Sequence, residues 1–328
     1  MKKLCVGAMM AVVLGLSAGA ARAQFQEWTA DPLPTEQIKT VAYKGWLPTR
    51  QEPLRGTIVL VPGKLGDGRG MAADAKWQEL ATSTGFALLA CQFTDGDGAI
   101  YQYDAQNEVA KSIAVAVTHL GQLSGHPELE KAPLAFWGHS AGANIAAKHT
   151  NFAPMRIIAM AGSKGSWGSG PENPPGKDEI PMLFVLGGKD KPEWISGSLP
   201  TIEAGQKRHA PWALALQKNE AHDSAPGLPL VRAFLKASIE QRFTPPKNAG
   251  AVGAPSIFKT TPKPIGGGTA SKVAGPVKLE RIDQHQGWLG DPDTYEIAPA
   301  ATYKGSKTKA MWLPDEETAK AWQAYLRG

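Results

Sequence analysis

Apolar residues in this chain fall into short continuous runs separated by longer mixed segments. Residues 57–61 (T-I-V-L-V), 86–91, 134–137, 155–161, 181–186 and 212–216 are each apolar throughout or nearly so, the reading expected of strands buried on both faces. Between them, residues 71–83, 105–124, a segment opening at Ala141, and 229–242 carry helical periodicity, the last with Pro229 in its first turn. Residues 37–46 alternate loosely and suggest an early antiparallel strand or hairpin arm, limited by Pro32, Pro34 and Pro48. Strands alternating with helices predict an α/β fold, a doubly wound, mostly parallel sheet that binds ligands at the carboxyl ends of its strands.

The pattern lapses at both ends of this region. Residues 244–278 are rich in Pro, Gly, Ala, Thr and Lys and read as a linker. Order returns over 279–328, with G-W-L-G at 287–290, strand-like pieces around 295–297 and a helix from about Glu316 to Leu326. Trp288, Trp312 and Trp322 there could advertise a sugar-binding surface, but so short a segment cannot bury them alone, so it is expected to pack as an appendage on the preceding domain. At the other end, Lys2 and Lys3, an apolar run over 4–20 and Ala21-Arg22-Ala23 have the layout of a secretory signal peptide. The run is too short and too rich in Gly and Ala for a membrane anchor. The expected division is a signal over 1–23, a catalytic-type α/β domain over 24–243, a linker over 244–278 and an extension over 279–328, with the product periplasmic or secreted.

Loss of the signal removes Lys2, Lys3 and Arg22 and no acid, taking the formal charge from +5 to +2. So small a charge offers no field for nucleic acid or an anionic membrane. Cys91 is then the only cysteine, so the fold must be held by its core rather than by an internal disulfide.

The candidate chemistry lies where the strand over 134–137 meets the next helix, at Gly138-His139-Ser140-Ala141-Gly142. Strand, G-x-S-x-G, helix is the arrangement of a nucleophile elbow: the serine occupies a strained turn, and positions two residues to either side favour glycine because a larger side chain would collide. The turn would lift the Ser140 hydroxyl above the sheet edge and set the Ala141 amide beside it.

On these residues the chain resembles the α/β-hydrolase superfamily, in particular its dienelactone-hydrolase-like and esterase members. The resemblance implies an acid after a later strand and a histidine after the next. Gly187-Gly188-Lys189-Asp190 and Glu220-Ala221-His222-Asp223 stand at those places, so Asp190 and His222 are the implied acid and base. It also implies an oxyanion hole made by the backbone amides of Ala141 and of Lys64, or of Leu65, in the Pro62–Gly66 turn. Many members have His-Gly at that turn and this chain has Pro62-Gly63, which leaves the donor open. The resemblance spans about residues 37–243, and residues 162–180 are too few for a large lid.

Leu65, Tyr101, Tyr103, His139, Trp167 and Trp194 are the candidates for lining the cleft, with simple packing the competing reading for the aromatic ones. Asp95 and Asp97 lack the further ligands of a calcium loop, so no metal is expected, and acyl transfer through a serine requires no cofactor. The expected activity is cleavage of carboxylic esters, on small molecules or polymers: acetyl or feruloyl groups on polysaccharides, short polyesters, or small soluble esters. A peptidase or amidase with the same residues, and a binding protein on an inactive scaffold, are the alternatives.

Overall fold

Each of the six continuous apolar runs between residues 57 and 216 becomes a strand of one sheet. The computed structural model describes residues 24–30, 38–49, 53–95, 108–165, 167, 173–243 and 277–328. The expected signal segment, Asp97, Tyr101, Tyr103 and all but the last two residues of the expected linker lie outside them.

Among the described residues the main sheet contains β1 (Gln24–Ala30), β2 (Ile38–Leu47), β3 (Gly56–Val61), β4 (Phe86–Asp95), β5 (Leu134–His139), β6 (Ile157–Ser163), β7 (Met182–Gly187) and β8 (Trp212–Gln217). Their spatial order is β1-β2-β4-β3-β5-β6-β7-β8. The first two strands run antiparallel to their neighbours, and β3 through β8 are mutually parallel. Side chains alternate between two cores: Val59 and Val61 belong to one cluster, Ile58 and Leu60 to the other. Helices α2 (Glu108–Ser124), α3 (Ala141–Phe152) and α4 (Pro192–Lys207) cover the first face, and α1 (Ala75–Thr84) and α5 (Leu228–Arg242) the second. Two-sided burial is why these strands read as unbroken apolar runs.

Local chemistry sets the helix limits. A 3-10 turn at Arg69–Ala73 precedes α1, which starts where the Asp74 carboxylate accepts from the amides of Lys76 and Trp77. It ends at Gly85, in left-handed backbone with φ 73°. Strand β1 and helix α4 are among the elements not evident from the pattern. Strand β1 alternates between exposed and half-buried positions and owes its form to pairing with β2. Helix α4 contains Gly197, Pro200 and Gly205, which blur its periodicity. Gly205 is dictated by packing, because a Cβ there would lie 1.9 Å from the Trp212 ring.

The C-terminal segment forms a three-stranded sheet of β9 (Trp288–Gly290), β10 (Ile297–Pro299) and β11 (Met311–Leu313), followed by α6 (Glu316–Arg327). Asp315 caps α6 by accepting from the Thr318 amide at 2.8 Å. The segment shares the second core: Trp312, Leu313, Trp322 and Leu326 are buried with Phe234 and Leu235 of α5. Arg242 fastens its start, donating to the carbonyls of Ile157, Ile158 and Glu280. Burial lowers the Arg242 guanidinium to about 10, still charged at neutral pH. No helix among the described residues is long and apolar enough to cross a membrane.

Candidate active site

Ser140 sits between β5 and α3 with φ 53° and ψ −119°, a conformation that L side chains rarely adopt. Neighbouring backbone explains why both flanking glycines are needed. A Cβ at Gly138 would lie 2.2 Å from the Gly142 carbonyl oxygen, and one at Gly142 would lie 2.3 Å from that of Val61. The Ser140 amide donates to the Ser163 carbonyl at 2.8 Å, tying the elbow to the end of β6.

Asp190 follows β7 and His222 follows β8, and backbone hydrogen bonds join the two loops. The Gly188 amide donates to the Gln217 carbonyl and the Lys189 amide to the Glu220 carbonyl, both at 2.8 Å. The paired glycines before Lys189 allow this approach: a Cβ on Gly187 would lie 2.4 Å from the Ala221 oxygen, and one on Gly188 2.6 Å from the Lys218 oxygen. The Gln217 side chain shapes the base loop further by accepting from the amides of Asn219 and Glu220.

These loops bring three side chains into one line. His222 Nδ1 lies 2.7 Å from Asp190 Oδ2, and its Nε2 lies 2.9 Å from Ser140 Oγ. A carboxylate only accepts, so Nδ1 carries the proton, and the neutral ring then offers Nε2 as acceptor to the serine hydroxyl. The Asp190 side chain is only 6% exposed, and its other oxygen accepts from the Lys191 amide at 2.8 Å. It is thereby oriented and shielded from water.

The remaining candidates separate. His139 Nε2 donates to the His222 carbonyl at 3.0 Å, and the rings lie 5.1 Å apart, so His139, half-buried like Ser140, braces the base loop. Burial, ahead of every other influence, lowers the basicity of His139. Trp194 stands at the site, its ring 5.0 Å from that of His222, with the Lys191 ammonium 4.6 Å above it. Trp167 does not: it is 4% exposed, edge-on to Phe184 at 4.9 Å, and belongs to the core because α4 folds over it. The Pro62–Gly66 turn approaches the elbow closely enough that a Cβ on Gly63 would lie 3.4 Å from Ser140 Cβ. Leu65, at φ 58° and 56% exposed, projects from that turn, with Lys64 exposed beside it.

Lys164 and Tyr325 were not evident from the sequence. A lysine just after an apolar strand ordinarily reads as a solvated loop residue, yet Lys164 is buried against Tyr325 of α6.

This strand order, with a strand–turn–helix elbow at β5 and loops after β7 and β8 that converge on it, is the α/β-hydrolase fold. The connection from β6 to β7 carries only a 3-10 turn at Lys177–Glu179 among its described residues. No protein-family model and no curated sequence matches the chain. Solved structures similar to it include FphF, a fluorophosphonate-binding serine hydrolase of Staphylococcus aureus, at 12% identity and a TM-score of 0.48, covering 66% of this chain and 98% of that one. A ferulic acid esterase has 12% identity and a TM-score of 0.47, covering 67% and 98%. An S-formylglutathione hydrolase from Staphylococcus aureus has 13% identity and a TM-score of 0.47, covering 66% and 97%.

Proposed function

We propose that this protein is an exported serine hydrolase that cleaves carboxylic esters. The observation that carries the reading is the hydrogen-bonded line from Asp190 through His222 to Ser140, beside the Pro62–Gly66 turn. In this reading the Ser140 oxygen attacks the ester carbonyl while Nε2 of His222 takes the hydroxyl proton. Asp190 holds the ring in the Nδ1–H tautomer and stabilises the imidazolium that forms. The tetrahedral oxyanion is held by backbone amides, that of Ala141 at the start of α3 and one from the Lys64-Leu65 turn. Collapse of this intermediate releases the alcohol, which receives the proton from His222. Water then attacks the acyl-enzyme by the same route, and the acid leaves.

In this reading Trp194, whose ring lies 5.0 Å from that of His222, and Leu65, exposed on the Pro62–Gly66 turn, serve as apolar walls for the substrate. The N-terminal layout of Lys2, Lys3, apolar run and Ala21-Arg22-Ala23 supports export, with maturation before Gln24. The test is a panel of nitrophenyl esters and matched anilides, combined with fluorophosphonate labelling and peptide mapping. Ester turnover with the label on Ser140 is expected; a label elsewhere, or turnover of anilides in preference to esters, overturns the reading.

A further inference from the structure

Gln217 ends β8 and is 4% exposed, where an amide side chain is stable only with its polar atoms engaged. Its two carbonyl oxygens serve different loops. The main-chain oxygen accepts from the Gly188 amide of the acid loop at 2.8 Å. The side-chain Oε1 turns into the base loop and accepts from the amides of Asn219 and of Glu220, the latter at 2.8 Å. Both partners are donors, so the side-chain amide has one workable orientation, with its oxygen toward the loop. Gly328, after α6, stands at the other side: a Cβ there would lie 3.2 Å from Gln217 Nε2. The contacts continue from Glu220 to both titratable members of the site. Its carbonyl accepts from the Lys189 amide at 2.8 Å, and Lys189 directly precedes Asp190. Two residues beyond Glu220 stands His222, whose Nδ1 meets Asp190 Oδ2 at 2.7 Å. Without Oε1, the Glu220 amide is left with a 3.3 Å contact to the main-chain oxygen of Gln217.

Resting on the catalytic reading of Ser140, His222 and Asp190, we propose that Gln217 is a positioning residue: its side-chain oxygen fixes the Glu220 peptide and thereby sets the spacing of the acid and base loops at which Asp190 meets His222. The side chain bonds to the loop backbone and not to the three reacting side chains, so it acts through the loop. A short hydrogen bond weakens steeply once its partners move apart or lose alignment. Loosening the Glu220 peptide should therefore misplace the imidazole for proton transfer. The loss belongs in kcat rather than in KM, because the substrate walls at Trp194 and Leu65 lie on other segments.

The experiment combines amide hydrogen exchange with steady-state hydrolysis of a nitrophenyl ester, for the full chain unaltered and as Gln217→Met and Gln217→Glu. Methionine fills similar space without a strong acceptor, whereas glutamate keeps an oxygen at the end of the same stem. In Gln217→Met the amides of Asn219, Glu220 and Lys189 should exchange faster, and kcat should fall about tenfold with KM changed by less than about twofold. Gln217→Glu should recover most of both losses. A purely structural role would lower the melting temperature of both variants and leave kcat unmoved well below the melt. A folded Gln217→Met with unchanged kcat, or equal losses of kcat in the two variants, overturns the proposal. Should Gln217→Met fail to fold, the unaltered protein and Gln217→Glu decide the matter. Protected Asn219 and Glu220 amides together with an active Gln217→Glu sustain the proposal, and exchange there as fast as in an unstructured peptide overturns it. A wild-type chain inert to esters and to fluorophosphonate overturns the catalytic reading instead, while exchange at Lys189 in Gln217→Met still reports whether Gln217 ties the two loops.

Discussion

The indole Nε1 of Trp322 donates to the carbonyl of Leu214 at 2.8 Å, placing a residue of the last helix on the open edge of the main sheet. Met311 completes the contact, its sulfur accepting from the Leu214 amide at 3.2 Å. An edge strand otherwise presents unpaired amides and carbonyls to other chains. The extension satisfies both groups of Leu214 while burying Trp322 completely. Trp322→Ala should therefore lower unfolding free energy by about 3–5 kcal/mol, and truncation before residue 277 should promote self-association through β8. Chemical denaturation and light scattering measure the two effects; a truncated protein that stays monomeric with an unchanged midpoint would show that the extension is not needed for the edge.

Ser140→Ala should lower ester turnover by about a thousandfold or more with little change in fold, since it removes one hydroxyl. Gly142→Ala should lose activity for another reason. Its new methyl group meets the Val61 and Pro62 carbonyl oxygens, which are backbone atoms and cannot swing aside. A cost of about 1–3 kcal/mol or more is expected. Circular dichroism melts separate the two: Ser140→Ala should melt with the unaltered protein and Gly142→Ala well below it.

His139→Leu removes the donor to the His222 carbonyl and should loosen the base loop. One such hydrogen bond corresponds to about a tenfold loss in kcat, with KM little changed because His139 braces the base rather than the substrate. His139→Gln, which can still donate, should recover part of the loss. Steady-state kinetics in which both variants match the unaltered protein would remove His139 from the machinery.

His149 should make the protein sensitive to mild acid. Complete burial, packed on Phe136 and Phe152, lowers it to about 3. The unfolded chain takes up this proton near pH 6.5 and the folded one only near pH 3. Stability is therefore fully present above about pH 6.5 and is lost as pH falls toward 3, by up to about 1.4 kcal/mol per pH unit. Urea unfolding between pH 7 and 4.5 should show that slope reduced in His149→Leu; an identical slope in the variant would place the sensitivity elsewhere.

Export predicts a mature chain beginning at Gln24. Intact-mass measurement on protein recovered from the periplasm or the medium is the check, and a mass retaining residues 1–23 would reject it.

By itself, the sequence determined the elements whose signal is local. Strands such as β3 and β7 are legible because burial on both faces demands unbroken apolar runs. The elbow is legible because only glycine fits beside Val61 and Gly142, and α6 because its apolar stripe follows a capping Asp315. Ser140, Asp190 and His222 could be named as candidates, but their alignment at hydrogen-bonding distance depends on three loops meeting at one end of the sheet. Tertiary structure alone decided the rest. It made β1 a strand by pairing it with β2, formed α4 despite Pro200, and carried Trp167 into the core. It also brought Lys164 to Tyr325, 161 residues away. The physical reason is common to all of these: the partner that satisfies each group is distant in the chain, so no local pattern of apolar and polar residues can encode it.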